Sequence, residues 1–149
     1  MDGVLGTEGG WGLLYEVGSL AAAAVLTGAI GFERERHDHS AGLRTHMLVG
    51  IGACLFTILM TVIIQRFTDR SGVRADPIRI VSAVTSGIAF LAAGVIIQSR
   101  GGEVKGLTTG ASLWLVGAVG VCCGLGEYAL AAAAVVITLI VLRLVKLLE

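Results

Sequence analysis

GFERERHDHSAGLRTH, residues 31–46, carries three acids, three arginines and all three histidines of the chain. On either side the sequence turns apolar at once, over residues 13–32 before it and 47–64 after it. Each flank is close to the ~20 residues that an α-helix needs to cross a bilayer. A dense polar segment between two such runs reads as the connection between two membrane-spanning helices. Three more apolar runs follow, at about residues 80–97, 107–125 and 128–142. The expected fold is therefore all-α: a polytopic membrane helical bundle of about five transmembrane helices in a single domain over residues 1–149.

Composition supports the same reading. Charged residues make up 15% of the chain, against roughly 25% in an ordinary soluble domain, too few to cover a water-facing surface. Formal net charge is zero and the basic residues are scattered between the apolar runs, which removes the positive footprint that nucleic-acid binding requires. Cys54, Cys122 and Cys123 all lie inside apolar runs, without the Cys/His spacing of a zinc site, and read as small packing residues. The first run follows no Lys or Arg and is too long for a signal-peptide core, so it is expected to remain in the mature protein.

The connections fix an expected orientation. With the N-terminus outside, the inner side holds Arg34, Arg36, Arg44, Arg100, Lys105, Arg143 and Lys146, and the outer side Arg66, Arg70, Arg74 and Arg79. The excess of positive residues belongs inside, which gives an N-out/C-in topology with residues 31–46 facing the cytoplasm. Pro77 suits the first position of the third helix, where a missing N–H costs nothing. Gly126 and Glu127 alone separate the last two runs, so these helices form a tight antiparallel hairpin.

Small residues mark expected helix contacts, because in lipid close packing rather than hydrophobicity drives association. Gly87 and Gly94 lie in the third run. Gly106 and Gly110, then Gly120 and Gly124, give two GxxxG spacings in the fourth. These faces are expected to support a homodimer. Trp114, in the middle of the fourth run, reads as a bulky packing residue, and Glu16 as a solvated acid near the outer interface.

Within the polar stretch, the alternation Glu33, Glu35, His37, His39 invites a metal site. All four share a face only in an extended segment, whereas continuation of the first helix sets Glu33 beside His37 and Arg34 beside Asp38. Mg²⁺ prefers oxygen ligands and keeps several waters. The segment is therefore read as a solvated turn, with no metal and no cofactor.

Four ordered strings resemble the membrane domain of the MgtC/SapB family: GFERER at residues 31–36, AGLRTHMLVGIGACLF at 41–56, DPIRIVSAVTSGIAFLAAGVI at 76–96 and VKGLTTGASLWLVGAVGVCCGLGEY at 104–128. The resemblance implies a multi-pass protein of the bacterial inner membrane with a cytoplasmic C-terminus, agreeing with the charge count. It also implies a link to growth in magnesium-poor surroundings and to survival inside host phagocytes. The chain departs from the family pattern in three places. Many relatives carry a cytoplasmic domain beyond the fifth span, and this sequence stops at Glu149. Ala89 and Ala92 replace two glycines of the family's GIGFLGAG string. Thr108 stands where some members have Asn.

Glu33, Arg44 and Thr45 match the family motif at the membrane boundary, where an ionisable group is costly unless paired. A Glu33–Arg44 pair is expected to clasp the first two helices, sharing a polar vestibule with Thr108 and Thr109 where a ligand or partner helix docks. Two functions follow. One is a non-enzymatic regulator that binds another integral membrane protein within the lipid bilayer. The other is a transporter or channel for Mg²⁺ or another small solute. Against the second stand the lack of an acid in mid-span and of an evident inverted repeat. No nucleophile and base share the membrane plane, so an enzyme is not expected.

Overall fold

The computed structural model describes residues 10–68, 76–97 and 104–144. The opening residues 1–9, the connections that hold Arg70, Arg74 and Arg100, and Lys146 lie outside them. Five helices follow in order: α1 Gly10–Glu35, α2 Leu43–Thr68, α3 Pro77–Ile97, α4 Leu107–Gly124 and α5 Tyr128–Leu144. The described residues are all helix and connection, without strand. Three helices are long and apolar enough to cross a membrane, over Gly12–Glu35, Leu43–Arg66 and Leu107–Gly124. The apolar stretches of α3 and α5, Val81–Ile96 and Tyr128–Leu144, are shorter. The molecule is a helical membrane bundle.

Its centre is α4, and glycines decide how near the neighbours come. A Cβ added to Gly120 would overlap the Gly50 carbonyl oxygen of α2 and lie 2.9 Å from Ala53 Cβ, and one on Gly124 would lie 2.8 Å from the Cys54 carbonyl. Here two helix backbones touch, which only glycine permits. Gly31 does the same between α1 and α2, where an added Cβ would sit 2.8 Å from Leu43 Cα. On the other flank of α4, α3 lies against Gly106 and Gly110, and Ile88 fills the space over Gly117.

Both GxxxG spacings are thus consumed by packing inside one chain, which corrects the expectation that they face a second copy. Gly87 and Gly94 are the reverse: an added Cβ meets nothing within 4 Å at either, so they pack against none of the described residues. Trp114 is half exposed on the outside of the bundle, and Phe90, at 81% exposure, points into the space where lipid would lie.

Two helix ends differ from the expected spans in a way that matters for the site. The first helix continues to Glu35 and the second begins at Leu43, leaving a short turn in which Asp38 takes a left-handed φ of 54°, tolerable for Asp. Glu35 Oε2 accepts a 2.7 Å hydrogen bond from the Leu43 N–H, satisfying one of the free donors at the start of α2 and placing negative charge at its positive end. Residues 35–40 are exposed, as a solvated turn should be. At the opposite end, the α4–α5 hairpin closes on a Schellman turn. Gly126 at φ 80° lets its own N–H reach the Cys123 carbonyl at 3.1 Å and the Glu127 N–H reach Cys122 at 2.9 Å.

A candidate functional site at one end of the bundle

Each central helix buries a stripe of residues three and four apart, and near the 31–46 turn each stripe ends in polar side chains. On α1 the stripe is Ser19, Ala23, Thr27, Ile30 and Arg34; on α2 it begins at His46 and continues through Gly50, Ala53, Thr57 and Met60. On α4 it begins at Thr109 and Ser112. The packing that closes the apolar core therefore carries Arg34, His46, Thr109 and Ser112 to one place.

Contacts knit them into a chain across three helices. Arg34 Nη2 donates to Thr109 Oγ1 at 3.2 Å. His46 Nδ1 lies 2.8 Å from the Gly42 carbonyl, an oxygen that only accepts, so Nδ1 carries a proton. Its Nε2 lies 3.0 Å from Ser112 Oγ, and that hydroxyl is also 2.9 Å from the Thr109 carbonyl. Ser112 has a single hydroxyl proton. A neutral His46 ring accepts it at Nε2, whereas an imidazolium donates from Nε2 and leaves the serine proton to Thr109. The site thus has two fully defined hydrogen-bonding arrangements that differ by one proton.

Glu33 belongs to the same end of α1 but, one residue before Arg34, faces about 100° away. It is 4% exposed, and its Oε1 lies 3.2 Å from Nδ1 of His37, one helical turn on; the same nitrogen is 2.9 Å from the Glu33 carbonyl. Two buried polar atoms, Glu33 Oε2 and Arg34 Nε, have no hydrogen-bond partner among the described residues. Burying such atoms unpaired is costly, which marks both side chains as more than packing.

Of the residues expected at the vestibule, the structure brings Glu33 and Thr109 into the buried end and leaves Arg44, Thr45 and Thr108 exposed. The Glu33–Arg44 clasp is not formed: Glu33 meets His37, and the buried arginine is Arg34. The reason is helical phase. Because α2 starts at Leu43, Arg44 and Thr45 already turn with the helix, and His46 is the first side chain to face inward. Thr108 and Thr109 are likewise split between outside and inside. Sequence reasoning passed over Arg34, His46 and Ser112, although their spacing from Ile30, Gly50 and Val116 gives the signal. No three His, Cys, Asp or Glu side chains among the described residues converge as a metal site would need.

Comparison with known proteins places the chain among its relatives. The model of the MgtC family matches residues 20–149. The chain is 40% identical over 124 residues to the Escherichia coli K12 protein named "Putative magnesium transporter YhiD", covering 83% of this chain and 57% of that one. It is 40% identical over 134 residues to Protein MgtC of Brucella abortus, covering 90% and 52%. An uncharacterized Haemophilus influenzae protein is 34% identical over 128 residues, covering 85% and 54%. The chain thus spans about half the length of the curated relatives it matches. No solved structure matches it. With 130 residues covered by the family model, from residue 20 to residue 149, and this degree of identity across its helices, the chain belongs to the MgtC family.

Proposed function

We propose that this chain is a non-enzymatic, multi-pass protein of the bacterial inner membrane that acts by contact with another integral membrane protein, adjusting ion or energy balance when magnesium is scarce. Survival inside host cells belongs to the same proposal through the family resemblance. The observation that carries it is the division between a closed interior and an open flank. Inside, α2 meets α4 backbone to backbone at Gly50 and Gly120, and the buried polar chain from Arg34 to His46 is spent on the chain's own helices. Outside, α2 and α3 flank an apolar groove of about 800 Å³ whose lining includes the small residues Gly52, Ala53, Ala83 and Gly87 beside Leu48, Phe56 and Leu91. A groove with small residues at membrane depth suits a transmembrane helix of a partner. Self-association in this reading uses the same α3 face, with Gly87 and Gly94, in place of the GxxxG spacings.

A second reading, transport of a small cation, draws on the unpartnered Glu33 Oε2 and on the name of the Escherichia coli relative. A buried acid with one oxygen unpaired at the membrane boundary is a common mark of an ion path. Reconstitution in liposomes with Mg²⁺ and monovalent cations, beside crosslinking in native membranes, separates the two. The regulator reading expects a specific protein adduct without flux; flux that Glu33→Gln abolishes establishes the transporter instead.

A further inference from the structure

Glu33 does not face the Arg34–His46 chain. It lines a separate pocket of about 680 Å³ between the last turns of α1 and α5, with Ala29, Phe32, Arg36, His37 and Arg143 among its walls. The walls divide by chemistry. Ala29, Phe32 and Leu139 form an apolar side continuous with the lipid-facing surface, and the guanidinium of Arg36 is held 4.7 Å above the Phe32 ring, an arrangement favourable for a cation over an aromatic face. Arg36 and Arg143 bring two fixed positive charges to the rim. Between them the pocket is lined by Glu33, a carboxylate only 4% exposed, whose Oε1 lies 3.2 Å from His37 Nδ1 and whose Oε2 is closed off without a donor among the described residues.

We infer that this pocket holds the headgroup of a phospholipid bearing a primary ammonium. Two guanidiniums at the rim match a phosphate diester, since arginine pairs with phosphate oxygens through two parallel N–H bonds. The Glu33 carboxylate lines the same pocket with His37 as its only partner among the described residues, and a primary ammonium a few bonds from that phosphate supplies N–H donors to its pocket-lining edge, cancelling the carboxylate charge as it binds. The apolar wall then receives the upper part of an acyl chain. A purely anionic headgroup satisfies the arginines but brings its charge toward Glu33; a quaternary ammonium carries the charge but offers the carboxylate no N–H. The pocket is thus selective for one headgroup chemistry, whatever the α2–α3 groove binds.

The test is native mass spectrometry of the purified full chain in detergent, titrated with dioleoyl phosphatidylethanolamine, phosphatidylcholine and phosphatidylglycerol, and with inorganic phosphate as competitor. The expected result is a bound phosphatidylethanolamine held about tenfold more tightly than phosphatidylcholine, the size of one charge-assisted hydrogen bond. Glu33→Gln should erase that preference while leaving phospholipid binding in place. Should that variant fail to fold, the exposed-rim double variant Arg36→Gln with Arg143→Gln carries the test: all three lipids must weaken together, by tenfold or more. Equal binding of the three lipids, a preference for phosphatidylglycerol, a preference unchanged in Glu33→Gln, affinity unchanged in the double variant, or displacement by millimolar inorganic phosphate would each overturn the inference.

Discussion

Replacing Gly120 with Ala adds one methyl group, and the structure fixes where it goes: onto the Gly50 carbonyl oxygen and within 2.9 Å of Ala53 Cβ. Both obstacles belong to the α2 backbone or to a side chain with no rotamer to change, so relief requires α2 and α4 to part by about an ångström in a close-packed interface. Overpacking of this kind costs about 1–3 kcal/mol, and rigid obstacles place Gly120 toward the upper end. The gain in helix propensity from Gly to Ala offsets about 1 kcal/mol, leaving a net loss of about 2 kcal/mol. Gly87→Ala receives the same propensity gain with nothing within 4 Å of the new methyl, and should be neutral or more stable by up to about 1 kcal/mol. Gly94→Ala should behave like Gly87→Ala. Reversible unfolding in mixed micelles, followed by circular dichroism, should therefore separate Gly120→Ala from Gly87→Ala by about 2–3 kcal/mol. Equal stability of the two variants would refute the packing of α2 on α4 described here.

Four further outcomes concern the polar end and the hairpin. Arg34→Gln should destabilise the bundle by more than about 1 kcal/mol, because it leaves Thr109 without its buried donor, whereas Arg44→Gln, on an exposed side chain, should stay within about 0.5 kcal/mol of the parent in the same unfolding assay. The charge exchange Glu33→Arg with Arg44→Glu should not rescue the loss caused by Glu33→Arg alone, since the two side chains do not meet; recovery to parent stability would restore the clasp. Gly126→Ala should cost about 1 kcal/mol through its φ of 80°, and Tyr128→Phe a similar amount through the 2.7 Å hydrogen bond between Ser19 and Tyr128, both read as lowered unfolding midpoints.

The helices and their order were legible because apolar length is a strong signal: five runs separated by charge became five helices. The faces of those helices were not. In a soluble bundle the buried stripe stands out against a polar surround, but here Val25 and Leu48, both largely exposed, are as apolar as the buried Ile30 and Leu113. With no contrast around the helix, neither the phase nor the last turn of α1 and the first of α2 could be placed. Three residues of error at the end of α1 and four at the start of α2 then exchanged Arg34 for Arg44, and the motif-matching Thr45 for its neighbour His46. Glycine showed the same gap. The GxxxG spacing announced close approach correctly at Gly120 and Gly124, but spacing carries no information about whether the approaching backbone belongs to the same chain.

The central claim is that the α2–α3 groove, and not a path through the bundle, is where this protein acts. A photo-crosslinking side chain in place of Leu91, which lines that groove, tests it in native membranes. The account predicts a discrete adduct with another membrane protein that disappears when Gly87→Leu fills the groove, while reconstituted protein passes no cation. Adducts with lipid alone, an adduct indifferent to Gly87→Leu, or cation flux through the reconstituted chain would contradict it.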